Sequence, residues 1–130
     1  MIVASFLTKH GLVHWKLGAK WFSFTLLDSD IASNNAGWQW VAGTGADAAP
    51  YFRIFNPIRQ SEKFDKKGEY LKKWLPELNL LPEKFIHAPH LAPKEVLQKA
   101  GVIIGDNYPK IILDLDAQRK KALDNYSKIK

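Results

Sequence analysis

The chain contains no cysteine. That removes disulfides, thiolate nucleophiles and the Cys-based zinc and iron–sulfur sites, and it accords with a reducing, cytoplasmic setting. A secretory leader is missing too. MIVASFLTKHG has no basic start, no proper apolar core and no small-residue cleavage site. Nor is there a membrane span, because Lys16, Lys20 and Asp28 break the apolar stretches well before the roughly 18 residues a crossing helix needs. No repeat or low-complexity tract occurs. No Ser or Thr sits in a nucleophile-elbow setting, so hydrolase chemistry finds no support. GTGADA matches the letters of a dinucleotide fingerprint, but no strand precedes it and Pro50 spoils a following helix. His10 and His14, like His87 and His90, have ligand-like spacing. Gly11 and Pro89 interrupt the two pairs and no third ligand accompanies either, so these are structural or surface histidines and no metal is expected.

What is present bounds the answer further. At 130 residues the chain is one domain or a piece of one, and an apolar content of 46% supports a real core. The net charge of +6 is unevenly spread. Residues 1–50 hold three Lys against three Asp, while residues 51–130 hold sixteen basic against ten acidic groups. A polyanionic partner such as nucleic acid suits that second half.

The periodicity is helical throughout, which makes the expected fold class all-α. Ile2, Val3, Phe6 and Leu7 form a stripe ended by Gly11. Leu17, Trp21, Phe24 and Leu27 recur at three and four, giving a second helix closed by Asp28. Asp30 is an N-cap for a short helical turn through IASNNAGWQW, and GTGADAAP is a loop. Pro57 suits the first turn of a helix in NPIRQSEKFD. GEYLKKWLPEL follows with Tyr70, Leu71, Trp74, Leu75 and Leu78 on its apolar face. A short helix is expected at PKEVLQKAG, stopped by Gly101, then an extended linker over 102–113. The tail is an amphipathic helix through Leu115, Ala122, Leu123 and Tyr126.

One stretch resists a purely structural reading. DSDIASNNAGWQW, from Asp28 to Trp40, gathers two carboxylates, two adjacent amides and two tryptophans. A cap (Asp30), a turn (Asn34, Asn35) and core indoles (Trp38, Trp40) account for it. So does a buried heteroaromatic cofactor, whose polar edge needs amides and carboxylates and whose rings need indole neighbours.

The longer run DSDIASNNAGWQWVAGTGADAAPYFRIFNPIRQSEKFD, followed by GEYLKKWLPEL, resembles the C-terminal flavin-binding region of class I DNA photolyases and cryptochromes. MIVASFLTK and Trp15 also fall where that family has them, and the last fifty residues fit its variable end more loosely. The resemblance implies FAD as cofactor. It places Asp28, Ser29 and Asp30 along the ribityl and the polar edge of the isoalloxazine, and Asn34 beside the flavin N5. Trp38 is implied as the flavin-proximal member of an electron-transfer chain and Trp15 as its middle member. Trp40 and Met1 would touch a flipped pyrimidine dimer, with Gln60, Arg53 and Lys63 along the DNA-binding face. The implied reaction is light-driven electron injection from reduced FAD into the dimer, ring splitting and electron return. Ala36 stands where the family often has glycine.

Because Met1 matches a methionine in mid-domain, the expected organisation is a partial FAD-binding domain over 1–130 without the antenna-binding α/β domain. A separately encoded N-terminal photolyase half would complete it, and repair by this chain alone is not expected. Such a piece would expose a contiguous apolar face. Two alternatives stand beside repair of DNA containing pyrimidine dimers. One is a cryptochrome-type blue-light receptor fragment. The other is a cofactor-free helical remnant that binds nucleic acid.

Overall fold

Helix α1 (Ile2–Ser5) runs directly into a π-helical turn, Phe6–His10, which stops where Gly11 N–H donates to Phe6 O at 2.8 Å. The wider winding of that turn directs Thr8, Lys9 and His10 inward, beside Ser5 of α1, and all four are buried. Helix α2 (Trp15–Thr25) begins at His14, whose Nδ1 accepts from Lys16 N–H. Helix α3 (Ile31–Ala42) is capped by Asp30 and ends at Gly43, whose left-handed φ of 79° suits glycine at a helix C-terminus. In this computed structural model residues 1–129 are described, and among them there is no strand, only an isolated bridge between Ile104 and Tyr108.

The chain divides into two compact units, Met1–Asn56 with Leu113–Lys130, and Pro57–Ile112. The core of the first is Ala4, Ala19, Trp38 and Val41, with Leu7, Trp15, Phe22 and Trp40 packed around it. Small residues on α2 make this possible. A Cβ at Gly18 would run into the Trp38 ring, so the absence of one lets the indole lie on the α2 backbone. Phe22 meets the same indole edge-on, with centroids 5.2 Å apart. The C-terminal helix α8 (Leu115–Ser127) is started by Asp114, which accepts from the N–H groups of Asp116 and Ala117. It docks through the fully buried Ala122 and through the Tyr126 hydroxyl, which donates to Ala42 O at 2.7 Å.

The second unit is built from short pieces: α4 (Pro57–Phe64), α5 (Glu69–Trp74), α6 (Glu83–Ile86) and α7 (Lys94–Ala100), with 3₁₀ turns at Pro76–Leu78 and Pro89–Leu91. Leu78, Leu81, Ile86, Ala92, Ala100 and Val102 form its core. Two polar staples hold it. Asp65 accepts from the N–H groups of Tyr70 and Leu71 at the start of α5. His87 lies between Ser61 Oγ (2.7 Å) and Lys66 O (3.3 Å).

The expected all-α class is what the structure has, with local differences. The helix expected over GEYLKKWLPEL ends at Trp74, where Leu75 leaves the helical region before Pro76, and Pro76–Leu78 is a separate 3₁₀ turn. α3 is a twelve-residue helix rather than a short turn, since Asp30 starts it well and nothing before Gly43 stops it. α2 ends at Thr25, where Leu26 turns extended, before Asp28 is reached. Residues 83–91 hold two short helical turns that the periodicity left unassigned. Among the described residues, no helix is long and apolar enough to cross a membrane, and no cluster of His or carboxylates could hold a metal.

Candidate functional site

The residues singled out in the opening stretch converge on the α2–α3 pair. Asn34, half-buried on the second turn of α3, reaches across to α2. Its Nδ2 donates to Ala19 O at 2.8 Å and to Ser23 Oγ at 2.9 Å. The opposite amide orientation would set Oδ1 against the Ala19 carbonyl oxygen, so the network determines which way the group faces. One turn further along α3, Trp38 is 3% exposed beneath Gly18. Trp15, at the first position of α2, and Trp40 are half-buried against the same core. All three indoles therefore belong to one cluster.

The connection between the two helices carries Asp28, Ser29 and Asp30. Asp28 is exposed and Ser29 half-buried. Asp30 is engaged locally, with Oδ1 accepting from Ser33 N–H at 2.7 Å. That hydrogen bond holds its carboxyl below the usual carboxylate range, so it is anionic at neutral pH.

The outer face of α2 is the other half of the geometry. Leu17, Trp21 and Phe24 are 62%, 66% and 86% exposed, and Leu27 projects fully into solvent. With Lys20 and Ser23, the first three line an open groove of about 500 Å³. An apolar face of α2 is therefore exposed within its own unit.

The remaining singled-out residues lie elsewhere. Met1 is the exposed N-cap of α1. Arg53 is exposed in a turn whose N–H bonds Pro50 O at 2.9 Å, within the first unit. Gln60 and Lys63 are one turn apart on α4 in the second unit, Gln60 half-buried and Lys63 exposed with its Nζ 5.1 Å from the Phe64 ring centroid.

The donor set suits a flavin. A fixed amide, a half-buried hydroxyl and two carboxylates supply hydrogen-bonding groups to a polar heterocyclic edge and a ribityl chain. The exposed Trp21 and Phe24 supply apolar surface. Sequence reasoning passed over Ser23, Gly18 and Ala19, which position Asn34 and Trp38. The available signal was the small pair Gly18–Ala19 inside a helix of large residues. Ser23 carried none.

The chain matches, over residues 1–128, the family described as the FAD binding domain of DNA photolyase. A deoxyribodipyrimidine photo-lyase of Agrobacterium fabrum is 57% identical over 130 residues, all of this chain and 27% of the relative. Among solved structures, a bacterial class III photolyase from Agrobacterium tumefaciens superposes with a TM-score of 0.91 at 56% identity, covering 98% of this chain and 27% of that one. A cryptochrome of Synechocystis sp. PCC6803 gives 0.86 at 39%, covering 94% and 25%. The chain thus spans about a quarter of the length of the curated relatives it matches. An all-helical chain matched along 128 residues and pairing a fixed amide with three clustered indoles belongs to the FAD-binding domain family of DNA photolyases.

Proposed function

We propose that this chain is part of a light-driven DNA repair flavoprotein, one that splits cyclobutane pyrimidine dimers by electron transfer from reduced FAD. The observation that supports it best is the α2–α3 pair, which carries the Asn34 amide and the indoles of Trp15, Trp38 and Trp40 together. When bound, reduced FAD would supply the electron that opens the dimer and would recover it afterwards. The protein's part is to bind, orient and exclude water.

Asn34 would meet the N5 edge, with Asp28, Ser29 and Asp30 along the polar side and the ribityl. Trp38, locked between Phe22 and the Gly18 backbone, holds its indole in one orientation, as a proximal electron donor must. Trp15 would be the next donor outward. A base taken from the stack forfeits stacking worth a few kcal/mol, and the apolar wall of Trp40 with Met1 would replace part of it. Arg53, Gln60 and Lys63 would contact the DNA backbone, giving affinity that falls with salt.

The repair reading is not narrowed to class I, because the bacterial photolyase matching at 56% identity is a class III enzyme. The partner would be dimer-containing DNA, and a polypeptide carrying the rest of the photolyase would complete the site. A cryptochrome-type light receptor is the second reading, favoured by the Synechocystis match. The test is FAD retention after desalting, followed by light-dependent repair of a thymine-dimer oligonucleotide once the completing polypeptide is supplied. Retention with repair supports the first reading, and retention without repair the second. Salt-sensitive DNA binding with no FAD retention in the completed protein would leave only a cofactor-free helical nucleic-acid binder.

A further inference from the structure

We propose that Ser23 dictates what the Asn34 amide offers a ligand, and that it thereby biases the pocket toward reduced over oxidised FAD. The second clause rests on the flavin reading above; the first does not. An amide nitrogen has two hydrogens, and both are spent within the protein, one on Ala19 O at 2.8 Å and one on Ser23 Oγ at 2.9 Å. The only hydrogen-bonding capacity left to Asn34 is acceptance at Oδ1. The Ala19 bond is to a backbone carbonyl, which replacing the Ser23 side chain leaves in place. Ser23 is therefore the variable that keeps the second hydrogen occupied. It is exposed on α2 and lines the groove with Leu17, Trp21 and Phe24, while its hydroxyl holds Asn34.

An acceptor-only group discriminates between protonation states of whatever atom it faces. N5 of an oxidised isoalloxazine carries a lone pair and no hydrogen. Uptake of two electrons and one proton, the proton on N5, makes the same atom an N–H donor. An Asn34 restricted to acceptance pairs with the second and opposes the first. Removing the Ser23 hydroxyl would free one N–H, which could then be offered to a lone pair, and the preference would shrink. Ser23 is a positioning residue in this scheme: it touches Asn34 and acts only through it.

Two measurements separate the clauses, exchange on the 130-residue chain and FAD titration on the protein once the completing polypeptide is supplied. In the flavin-free protein, ¹⁵N NMR should find both Asn34 side-chain hydrogens protected from exchange. In Ser23→Ala one of them should exchange about fivefold faster or more, the weight of one modest hydrogen bond, and Ser23→Thr should restore protection. Ser23 is exposed, so circular dichroism and tryptophan fluorescence should match across the three chains. Equal Asn34 exchange in wild type and Ser23→Ala overturns the orientation claim. Anaerobic titrations with oxidised FAD and with dithionite-reduced FAD then give the ratio of dissociation constants. That ratio should move about fivefold toward oxidised FAD in Ser23→Ala and return in Ser23→Thr. An unchanged ratio with altered exchange overturns the redox claim alone. If neither form of FAD binds any of the three completed proteins, the redox claim falls together with the flavin reading, and the exchange data still decide the orientation.

Discussion

Lys9 offers the sharpest test of the packing. It has no exposed surface, and its Nζ lies 3.7 Å from the Tyr126 ring centroid and 3.5 Å from Ala42 O, the final carbonyl of α3. A cation there is favoured by the aromatic face and by the negative end of the helix. It is opposed by lost hydration, and the opposition wins: burial lowers its pKa from 10.5 to about 8. The sign follows from proton counting. Between pH 8 and 10.5 the unfolded chain keeps the proton that the native chain has lost, so stability rises with pH across that window. Above about pH 10 the trend reverses, because burial raises the Tyr126 pKa and the native state then holds the extra proton. A fall from 10.5 to about 8 is worth about 3 kcal/mol at the limit, and about 1–2 kcal/mol of it is gained between pH 7.5 and pH 10, because neither titration is complete at those ends and Tyr126 offsets part of the rise.

The assay is urea unfolding followed by tryptophan fluorescence at pH 7.5 and pH 10. Wild type should gain about 1–2 kcal/mol at the higher pH. Lys9→Met, which fills the same volume without a charge, should be at least as stable at pH 7.5 and show no rise across the window. A wild-type stability that stays level or falls, or a Lys9→Met chain that rises as much, would refute the account of a desolvated ammonium beneath α8.

Three further outcomes are expected. Trp38→Ala should lose about 3–5 kcal/mol in the same unfolding assay, and Trp38→Phe should keep the fold while slowing photoreduction of bound FAD, read by visible absorption under constant light. Gly18→Ala should lower stability by about 1–3 kcal/mol, because the added methyl meets the Trp38 ring rather than a flexible side chain, and calorimetry would register a lower Tm. Lys63→Gln should weaken binding to any duplex alike and flatten the plot of log affinity against log salt by about one, as expected when a single phosphate is no longer neutralised.

The helices were legible wherever a cap or a breaker coincided with a stripe. Asp30, Pro57, Gly101 and the Leu115–Tyr126 pattern each mark an element that the structure contains. The short turns at 83–91 escaped because four-residue helices hold too few residues to show a period, and proline rather than amphipathicity starts them. The stretch Asp28–Trp40 stood out because amides, indoles and carboxylates are rare neighbours, but its residues alone fitted a cap, a turn and core indoles equally, and only the family resemblance gave Asn34 and Trp38 their roles. The buried quartet Ser5, Thr8, Lys9 and His10 was invisible for a different reason. A π-helical turn changes which residues share a face, and a 3.6-residue period assigns Lys9 and His10 to solvent.

α2 carries the harder lesson about reading a face. Its conspicuous stripe, Leu17, Trp21, Phe24 and Leu27, is the side its own unit leaves uncovered. The side that packs is Gly18, Ala19 and Phe22, which periodicity alone ranks lower. Hydrophobic period reports that a stripe wants cover, and it is silent on what covers it. Residue size decides closeness instead. Gly18 and Ala19 let α3 approach until Trp38 touches backbone and Asn34 reaches Ala19 O, neither of which a larger residue at position 18 would permit. The small strip thus creates the amide and indole geometry, and the large stripe is left as surface for a groove beside it. Enlarging position 18 should therefore disturb Asn34 and Trp38 together, whereas shortening Trp21 or Phe24 should leave both where they are.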